Sequence, residues 1–339
     1  MPPIQLNPVK VHHEWGELRE VIVGRQIPGT FVIPPYYDGL RWMHGKMLAL
    51  SKQHGGKRLA EVDPEFDAAL TRQSDDLVRL LEGRGVKVHR PNPLDEEAIA
   101  SCPGGFCSGV QIFPRDPLLV VGSWMIELNL RMRTRRPERY AFQHILQKAH
   151  ADGRGRWINM PSAWPGPEDQ DGTSLFLEGG DTLLNGYDIY VGNSGTSSNA
   201  RGIEWLQRLL GRAYRVQMVQ LRPDVLHLDC AMALLRPGLG LLCRERIHGT
   251  LPDSLAGFRW IEVTEQEAEG LGTNSLILNS ETLIVERGQE RIMGEIKRAG
   301  MEVIPLSYDA PATVGGAFRC SHHPIIRESS LSDPNPSIG

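Results

Sequence analysis

Short apolar segments joined by tight turns recur along this chain, and several are followed by a helical pattern and a further apolar strand. The first unit begins with a strand at 17–24 and continues with a helix at 65–82. Two glycines end this helix before a strand at 86–89. In the second unit, within 116–133, apolar and polar residues alternate from Ile126 onward, which predicts a half-buried strand.

Three further units repeat this order, and they lie at 182–220, 225–243 and 275–306. The hairpin of the third unit turns at Asn185-Gly186, because this pair supplies the positive φ that a two-residue turn needs. The third and fifth units also contain helical patterns. Five such units predict an α/β fold that closes pseudo-symmetrically around a centre. The alternative is an ordinary mixed α/β protein whose hairpins only look alike.

No linker divides the 339 residues, although a chain of this length has room for one large domain or two ordinary ones. The sequence therefore predicts one domain over 1–339. Residues 152–172 are rich in Gly, Pro and Asp, which is typical of a surface loop. We expect the tail at 328–339 to be flexible.

Charge and hydropathy exclude several classes of partner. The chain has 37 Lys and Arg against 41 Asp and Glu, a net charge of −4, and no long basic run. This balance gives no footprint for nucleic acid or an anionic membrane surface. No stretch approaches the roughly 18 apolar residues of a spanning helix, and the first ten residues do not form a signal peptide. We expect a cytoplasmic protein with small-molecule partners; a homodimer is compatible with the sequence, but no motif supports it.

The five cysteines favour reduced thiols over a disulfide framework, because their number is odd and their spacing is not paired. Cys102 and Cys107 lack the second pair that a zinc site would need. His322 and His323 follow Cys320 closely, but consecutive side chains of an extended segment point to opposite faces. The glycine patterns continue into neither a dinucleotide fingerprint nor a P-loop. We therefore expect no metal and no cofactor.

A thiol and a histidine are the first candidates for chemistry. Cys320 follows Gly315-Gly316, whose backbone can approach a ligand closely, although a free cysteine is also a common small core residue. In VLHLDCAM, His227 and Asp229 fall on one face of a strand, so that an acid-base group lies beside a carboxylate. The alternative here is a polar strand face in contact with solvent.

Further carboxylates stand at the ends of predicted strands. Glu178 and Asp181 flank two glycines before a hairpin, and Asp116 precedes a strongly apolar strand. Each alone could be a turn residue or a surface charge. Together with the thiol and the histidine they suit a cationic substrate, because carboxylates match a planar guanidinium. Arg246 is a candidate clamp for an α-carboxylate, although a lone arginine is more often a surface residue.

With these residues the sequence resembles the amidinotransferase family of the guanidino-group-modifying, or pentein, superfamily. That family includes arginine:glycine and inosamine-phosphate amidinotransferases. The matching blocks are HHEWGELREVIVG (12–24), PRDPLLVVGSWMIE with the Arg133-Thr134-Arg135 that follows, GIEWLQ (202–207), HLD (227–229), RPGLGLL (236–242) and GGAFRC (315–320). The resemblance covers most of the chain. It implies a five-bladed α/β propeller built from pseudo-fivefold ββαβ units.

The resemblance also implies a role for each candidate. Cys320 corresponds to the nucleophile, His227 to the general acid and base, and Glu178 to the carboxylate that orients the histidine. Asp116 and Asp229 correspond to the carboxylates that grip the guanidinium, with Asp181 beside them. Arg246 corresponds to the residue that binds the donor's carboxylate.

The implied reaction moves the amidino group of arginine, or of a similar donor, to a primary amine through an amidino-cysteine. One block departs from this family, since Glu178-Gly179-Gly180-Asp181 resembles arginine deiminases and dimethylarginine hydrolases. A guanidino-group hydrolase that uses the same residues is therefore the alternative. A non-catalytic binding protein for a cationic metabolite is a further alternative.

Overall fold

The computed structural model describes residues 7–37, 40, 42–43, 45–94, 111–163 and 173–334. Its strands are β1 (Leu18–Val23), β2 (Lys87–His89), β3 (Leu118–Val121), β4 (Trp124–Glu127), β5 (Arg156–Asn159), β6 (Thr182–Asn185), β7 (Asp188–Asn193), β8 (Arg215–Gln220), β9 (Met232–Arg236), β10 (Leu239–Leu242), β11 (Arg259–Glu262), β12 (Leu276–Ile277), β13 (Thr282–Glu286), β14 (Glu302–Leu306) and β15 (His322–Arg327). Its α-helices are α1 (Gly45–His54), α2 (Leu59–Val62), α3 (Pro64–Gly83), α4 (Gln143–Ala151), α5 (Ala200–Leu210), α6 (Glu265–Glu269), α7 (Glu290–Arg298) and α8 (Asp309–Thr313).

The strands form five sheets of three, and all five sheets follow one plan. In each sheet the central strand pairs antiparallel with one neighbour and parallel with the other. In four of the five sheets a hairpin joins the central strand to its antiparallel partner. The chain then leaves the sheet and comes back to form the parallel partner. This repetition confirms the five units that the hydrophobic pattern predicts.

The first sheet closes the ring, because β1 lies between β2 and the last strand, β15. The register pairs Leu18 with Arg327 at one end and Val23 with His322 at the other. Cys320 precedes β15, and the neighbouring Ser321 carbonyl accepts a hydrogen bond from Gly24 N at 2.9 Å. The thiol therefore lies at the face of the ring where β1 ends.

Helix α3 shows how the sequence fixes an element of the first unit. The Asp63 side chain accepts a hydrogen bond from Phe66 N at 3.0 Å, and Pro64 takes the first helical position, where no N–H is needed. Leu77 and Leu81, four residues apart, are fully buried in one apolar cluster with the valines of β1. Burial of a leucine side chain stabilises the fold by roughly 1.5–3 kcal/mol.

Two local predictions are wrong. The strand expected to continue from Ile126 to 133 ends at Glu127, and the next residues are irregular. Asn129 is buried there because its side chain donates to the carbonyls of Pro161 and Leu175, so alternation in this segment reflects hydrogen bonding rather than pairing. The loop expected at 152–172 contains β5, which pairs in parallel with β4; residues 164–172 lie outside the described ranges.

The C-terminal tail is anchored as far as the structure describes it. Asp333 accepts a hydrogen bond from Ser123 N at 3.1 Å, and the Ser332 carbonyl accepts one from Tyr187 Oη at 2.9 Å. Ser332 and Asp333 thus contact the rest of the fold, the flexibility expected from residue 328 onward stays a prediction, and 335–339 lie outside the described residues. Among the helices of the ranges given above, none is long and apolar enough to cross a bilayer.

Candidate active site

Cys320 is buried, with 3% of its surface exposed, and Asn274 holds it in place. The side-chain amide of Asn274 donates to Cys320 Sγ at 3.2 Å, while its oxygen accepts from the backbone N–H of Cys320 at 3.2 Å. Asp229 Oδ2 lies 3.6 Å from the sulfur. Burial raises the pKa of the Cys320 thiol well above its ordinary value, and the carboxylates of Asp229 and Asp116 raise it further. In the absence of a ligand, the sulfur therefore keeps its proton at neutral pH.

His227 lies among carboxylates. Its Nε2 is 2.8 Å from Glu178 Oε2, and its Nδ1 is 3.7 Å from Asp116 Oδ1. Burial disfavours the imidazolium, but Asp116, the hydrogen bond that Nε2 donates to Glu178 and the charge of Asp181 outweigh it and raise the pKa of His227 to about 10. The ring is therefore protonated at neutral pH and is poised to act first as an acid.

The two glycines of the Glu178–Asp181 loop let this histidine approach the carboxylates. A Cβ on Gly180 would lie 2.5 Å from His227 Nδ1 and 2.8 Å from Asp116 Oδ1. A Cβ on Gly179 would lie 2.0 Å from a backbone carbonyl oxygen. The two glycines of EGGD are thus favoured here by close packing of the backbone against the site.

The substitution Gly180→Ala should lower kcat by about tenfold to 10²-fold, because the added methyl would push His227 away from Asp116. Steady-state kinetics together with thermal unfolding would test this. The matched control is Gly294→Ala in α7, where the nearest atom to a new Cβ is 3.5 Å away, an ordinary contact. An unchanged kcat for Gly180→Ala would show that the spacing of the two side chains is not needed.

The two carboxylate oxygens of Asp116 differ, because one accepts a hydrogen bond and the other accepts none. Its Oδ2 accepts a hydrogen bond from Arg135 Nη1 at 2.9 Å, and the same guanidinium forms two bonds of 2.8 Å to Glu138. Its Oδ1 is buried and has no hydrogen-bond partner within the described part of the chain. A buried carboxylate oxygen without a donor is costly, so Oδ1 is suited to an N–H group of a ligand.

Asp229 belongs to a buried ionic network. Arg319 donates to Asp229 Oδ2 at 3.0 Å and to both oxygens of Glu14, at 3.2 and 3.3 Å. All three side chains are at least nine-tenths buried. Burial alone would raise the pKa of Glu14, but Arg319 lowers it to about 2. The network fixes the carboxylate beside the thiol and compensates its charge.

Asp181 lies behind His227 and is fully hydrogen-bonded. Its Oδ2 accepts from Ser197 Oγ and Ser198 N, and its Oδ1 accepts from Leu228 N at 3.0 Å. Burial raises the pKa of Asp181 to about 6, although His227 and these hydrogen bonds lower it. These contacts hold the backbone next to His227. The geometry of Asp181 therefore suits the positioning of His227 better than the direct contact with substrate that the sequence predicts.

Two adjoining cavities lead to the thiol. The inner chamber has a volume of about 50 Å³ and is lined by Cys320, His227 and Asp116 together with apolar side chains. The outer cleft has a volume of about 450 Å³, and Arg246 lines it. Four residues line both cavities, namely Trp42, Met43, Leu226 and Gly315. The predicted nucleophile, proton carrier and one carboxylate therefore meet in the chamber, and Arg246 stands outside it.

Arg246 is held in the wall of the cleft. Its guanidinium donates to Cys230 O at 3.0 Å, to Ala268 O at 3.2 Å and to Glu265 at 3.2 Å. Arg222 shares Glu265, at 2.8 Å. Both guanidinium groups line the cleft and are already paired with carboxylates, Arg222 with Asp224 as well, so the binding of a ligand carboxylate by Arg246 stays a prediction.

Metal chemistry has no cluster to support it in the part of the chain that the structure describes. No three His, Cys, Asp or Glu side chains there could hold a metal ion. Cys102 and Cys107 lie outside the described residues. His322 Nδ1 is 2.7 Å from a backbone carbonyl, and burial together with Arg115 lowers the pKa of His322 well below its ordinary value.

Sequence reasoning missed the residues that support the site: Asn274, Arg135, Glu138, Arg319 and Glu14. The signals for two of them were present, because Arg319 directly precedes Cys320 and Arg135 lies in a block that resembles the family. Glu14, the partner of Arg319, is 305 positions away along the chain. Only the folded structure shows that Glu14 and Arg319 meet.

Comparison with known proteins identifies relatives over nearly the whole chain, although no family model matches. The chain is 29% identical over 360 residues to the L-arginine:L-lysine amidinotransferase of Pseudomonas savastanoi pv. phaseolicola, covering 97% of both proteins. It is 30% identical over 358 residues to "Putative inosamine-phosphate amidinotransferase 2" of Streptomyces griseus, covering 95% of this chain and 98% of that protein.

Solved structures give the same answer for the fold. An amidinotransferase from Microseira wollei in the saxitoxin biosynthetic pathway superposes with a TM-score of 0.82 at 26% identity, covering 96% of this chain and 99% of that one. A dimethylarginine dimethylaminohydrolase from Pseudomonas aeruginosa has a TM-score of 0.63 at 18% identity over 91% of this chain, which shows the fold alone. The predicted pentein propeller is confirmed.

Proposed function

The chain belongs to the amidinotransferase family, and from this premise we propose that it moves the amidino group of arginine to a primary amine through a covalent intermediate on Cys320. One observation carries the proposal. The thiol, the protonated His227 and Asp116, one of whose oxygens accepts no hydrogen bond, line the same small chamber. A planar cation that entered the chamber would meet all three.

The guanidinium of arginine fits the charges of the chamber. One of its N–H groups would donate to Asp116 Oδ1, which lacks a donor. Asp229 stands on the sulfur side, 3.6 Å from Sγ. The α-carboxylate of the donor would bind at Arg246 in the outer cleft, and Asp181 would hold the backbone that carries His227. A cation beside the sulfur also favours the thiolate, so we propose that the substrate itself activates the nucleophile.

In the first half-reaction the sulfur attacks the central carbon of the guanidinium, and a tetrahedral adduct forms. The bond from this carbon to the side-chain nitrogen of arginine then breaks. That nitrogen gains two protons, one from the thiol and one from His227, and ornithine leaves with an ammonium group. An amidino-cysteine and a neutral His227 remain.

The second half-reaction reverses these steps with another amine. His227 takes one proton from the acceptor's ammonium group, and the amine attacks the amidino carbon. The second proton passes to the sulfur as the carbon–sulfur bond breaks. A new guanidinium compound leaves, and both His227 and Cys320 return to their protonated forms.

Incubation with arginine alone should release at most one ornithine per protein molecule and add one amidino group to Cys320. The reason is that a transferase stops at the covalent intermediate until an amine arrives. Intact-protein and peptide mass spectrometry would locate the group, and chromatography would quantify ornithine. Addition of a mixed panel of primary amines should restore turnover.

Continued formation of citrulline or of urea-type products in water would instead support the hydrolase that the EGGD sequence suggests. The absence of any adduct or product would favour the non-catalytic binding protein. We also propose the cytoplasm as the location, since Cys230, Cys243 and Cys320 are free thiols and the nucleophile must stay reduced. A homodimer stays a prediction.

A further inference from the structure

Besides the reacting groups, the inner chamber is lined mainly by apolar side chains. They include Phe31, Leu40, Met43, Met47, Phe113 and Met132. One enclosed water needs roughly 10–15 Å³ of such cavity volume, so the chamber's volume of about 50 Å³ holds about three to five water-sized groups. The chamber therefore has room for the transferred group and the nitrogen next to it, but not for a whole amino acid.

The charged groups that could bind an acceptor's carboxylate lie elsewhere. Arg246 and Arg222 line the outer cleft and do not line the chamber. The cations that line the chamber are Arg135, which Asp116 and Glu138 already bind, and His227, which is paired with Glu178. Trp42 and Met43 line the passage between the two cavities, where a substrate chain would cross apolar surface.

From this arrangement we propose that the acceptor is an unhindered ω-amine at the end of a flexible aliphatic chain. This inference rests on the proposed function and specifies its second substrate. The amine would enter the chamber, the methylenes would lie between Trp42 and Met43, and a polar end would stay in the cleft. An amine next to a carboxylate, as in glycine, is disfavoured, and so is an amine on a ring carbon.

The disfavoured acceptors fail for physical reasons. A carboxylate one carbon from the reacting nitrogen would be desolvated against methionine and phenylalanine side chains. It would also lie near Asp116 and Asp229, and like charges at short range repel in a site that excludes water. A ring amine would bring several carbons into a space that the amidino group nearly fills.

The experiment first establishes transfer and then compares acceptors. Exchange of isotope-labelled ornithine into arginine tests the proposed function alone, because ornithine is both leaving group and acceptor. The value of kcat/KM is then measured for 5-aminopentanoate, n-butylamine, glycine and cyclohexylamine with saturating arginine. We expect both open-chain ω-amines to exceed glycine and cyclohexylamine by at least about 100-fold, the discrimination typical of a buried group left unpaired or misfitted.

Two outcomes separate the claims. Exchange without any preference for ω-amines, or with glycine as the better acceptor, would overturn the inference and leave the transferase intact. Absence of exchange would overturn the proposed function itself.

The variant Arg246→Gln adds a second measurement. Its kcat/KM should fall more for 5-aminopentanoate, which has a carboxylate, than for n-butylamine, which has none. Equal losses would contradict the placement of the polar end in the cleft.

Discussion

Replacement of Cys320 by alanine should lower the rate of amidino transfer by about 10⁴-fold or more, the effect expected when a nucleophile is removed. Without the sulfur no covalent intermediate can form. The chamber also offers water no other assisted attack on the guanidinium carbon. The serine variant should be nearly as inactive, since a hydroxyl there is far less acidic than a thiol. Both variants should still bind arginine through Asp116.

Cys230 provides the matched control. Its sulfur is also buried and lies 3.6 Å from Asp229, but from the other oxygen, Oδ1. It lines the outer cleft rather than the chamber, and burial together with Asp229 raises its pKa. Because Cys230 does not line the chamber that holds His227 and Asp116, Cys230→Ala should keep activity within several-fold of the parent protein.

Initial rates of ornithine release, with mass spectrometry of the two variants after incubation with arginine, would decide between the thiols. The adduct should persist in Cys230→Ala and disappear in Cys320→Ala. Substantial turnover by Cys320→Ala, or transfer of the adduct to Cys230, would refute the assignment of the nucleophile.

The second large effect concerns stability. Replacement of Arg319 by methionine should lower the free energy of unfolding by about 3–5 kcal/mol, because it leaves the buried carboxylates of Glu14 and Asp229 without their cation. Urea denaturation followed by circular dichroism would measure this. The control is Arg19→Ala, which breaks an exposed ion pair with Glu328 and should cost less than about 1 kcal/mol.

The same substitution should change the response to acid. The lowered pKa of Glu14 means that its contribution to stability is complete above the ordinary pKa of a glutamate and is lost as the pH falls toward about 2. In Arg319→Met this pKa rises, so acid unfolding should begin at a higher pH. If the methionine variant does not accumulate, Arg319→Lys, which keeps the charge but loses the forked hydrogen bonds, should be intermediate. A stability equal to that of the parent would show that the network contributes nothing net.

The fold was predictable because its signals are local. Turn pairs such as Asn185-Gly186 and the apolar runs beside them determine each hairpin within about ten residues. The failures also have local causes. The segment after Glu127 alternates like a strand although Asn129 binds backbone carbonyls, and β5 is too short and polar to be distinguished from the loop around it.

The candidate site was predictable only in part. Cys320, His227 and Glu178 lie in short motifs whose residue types already suggest chemistry, and the structure brings them together. Asn274 gave no such signal, since its function depends on a contact with a residue 46 positions away. The arrangement of chamber and cleft was likewise not predictable, because nothing in the sequence distinguishes Met43 and Phe113 from ordinary core residues.

Closure of the ring by β15 has a consequence for biosynthesis. The ribosome adds this strand after β1 to β14, and its pairing with β1 helps to place Cys320 beside the carboxylates. Four of the five sheets can form on a nascent chain that still lacks an organised nucleophile. The proposed nucleophile therefore reaches its place only when β15 pairs with β1.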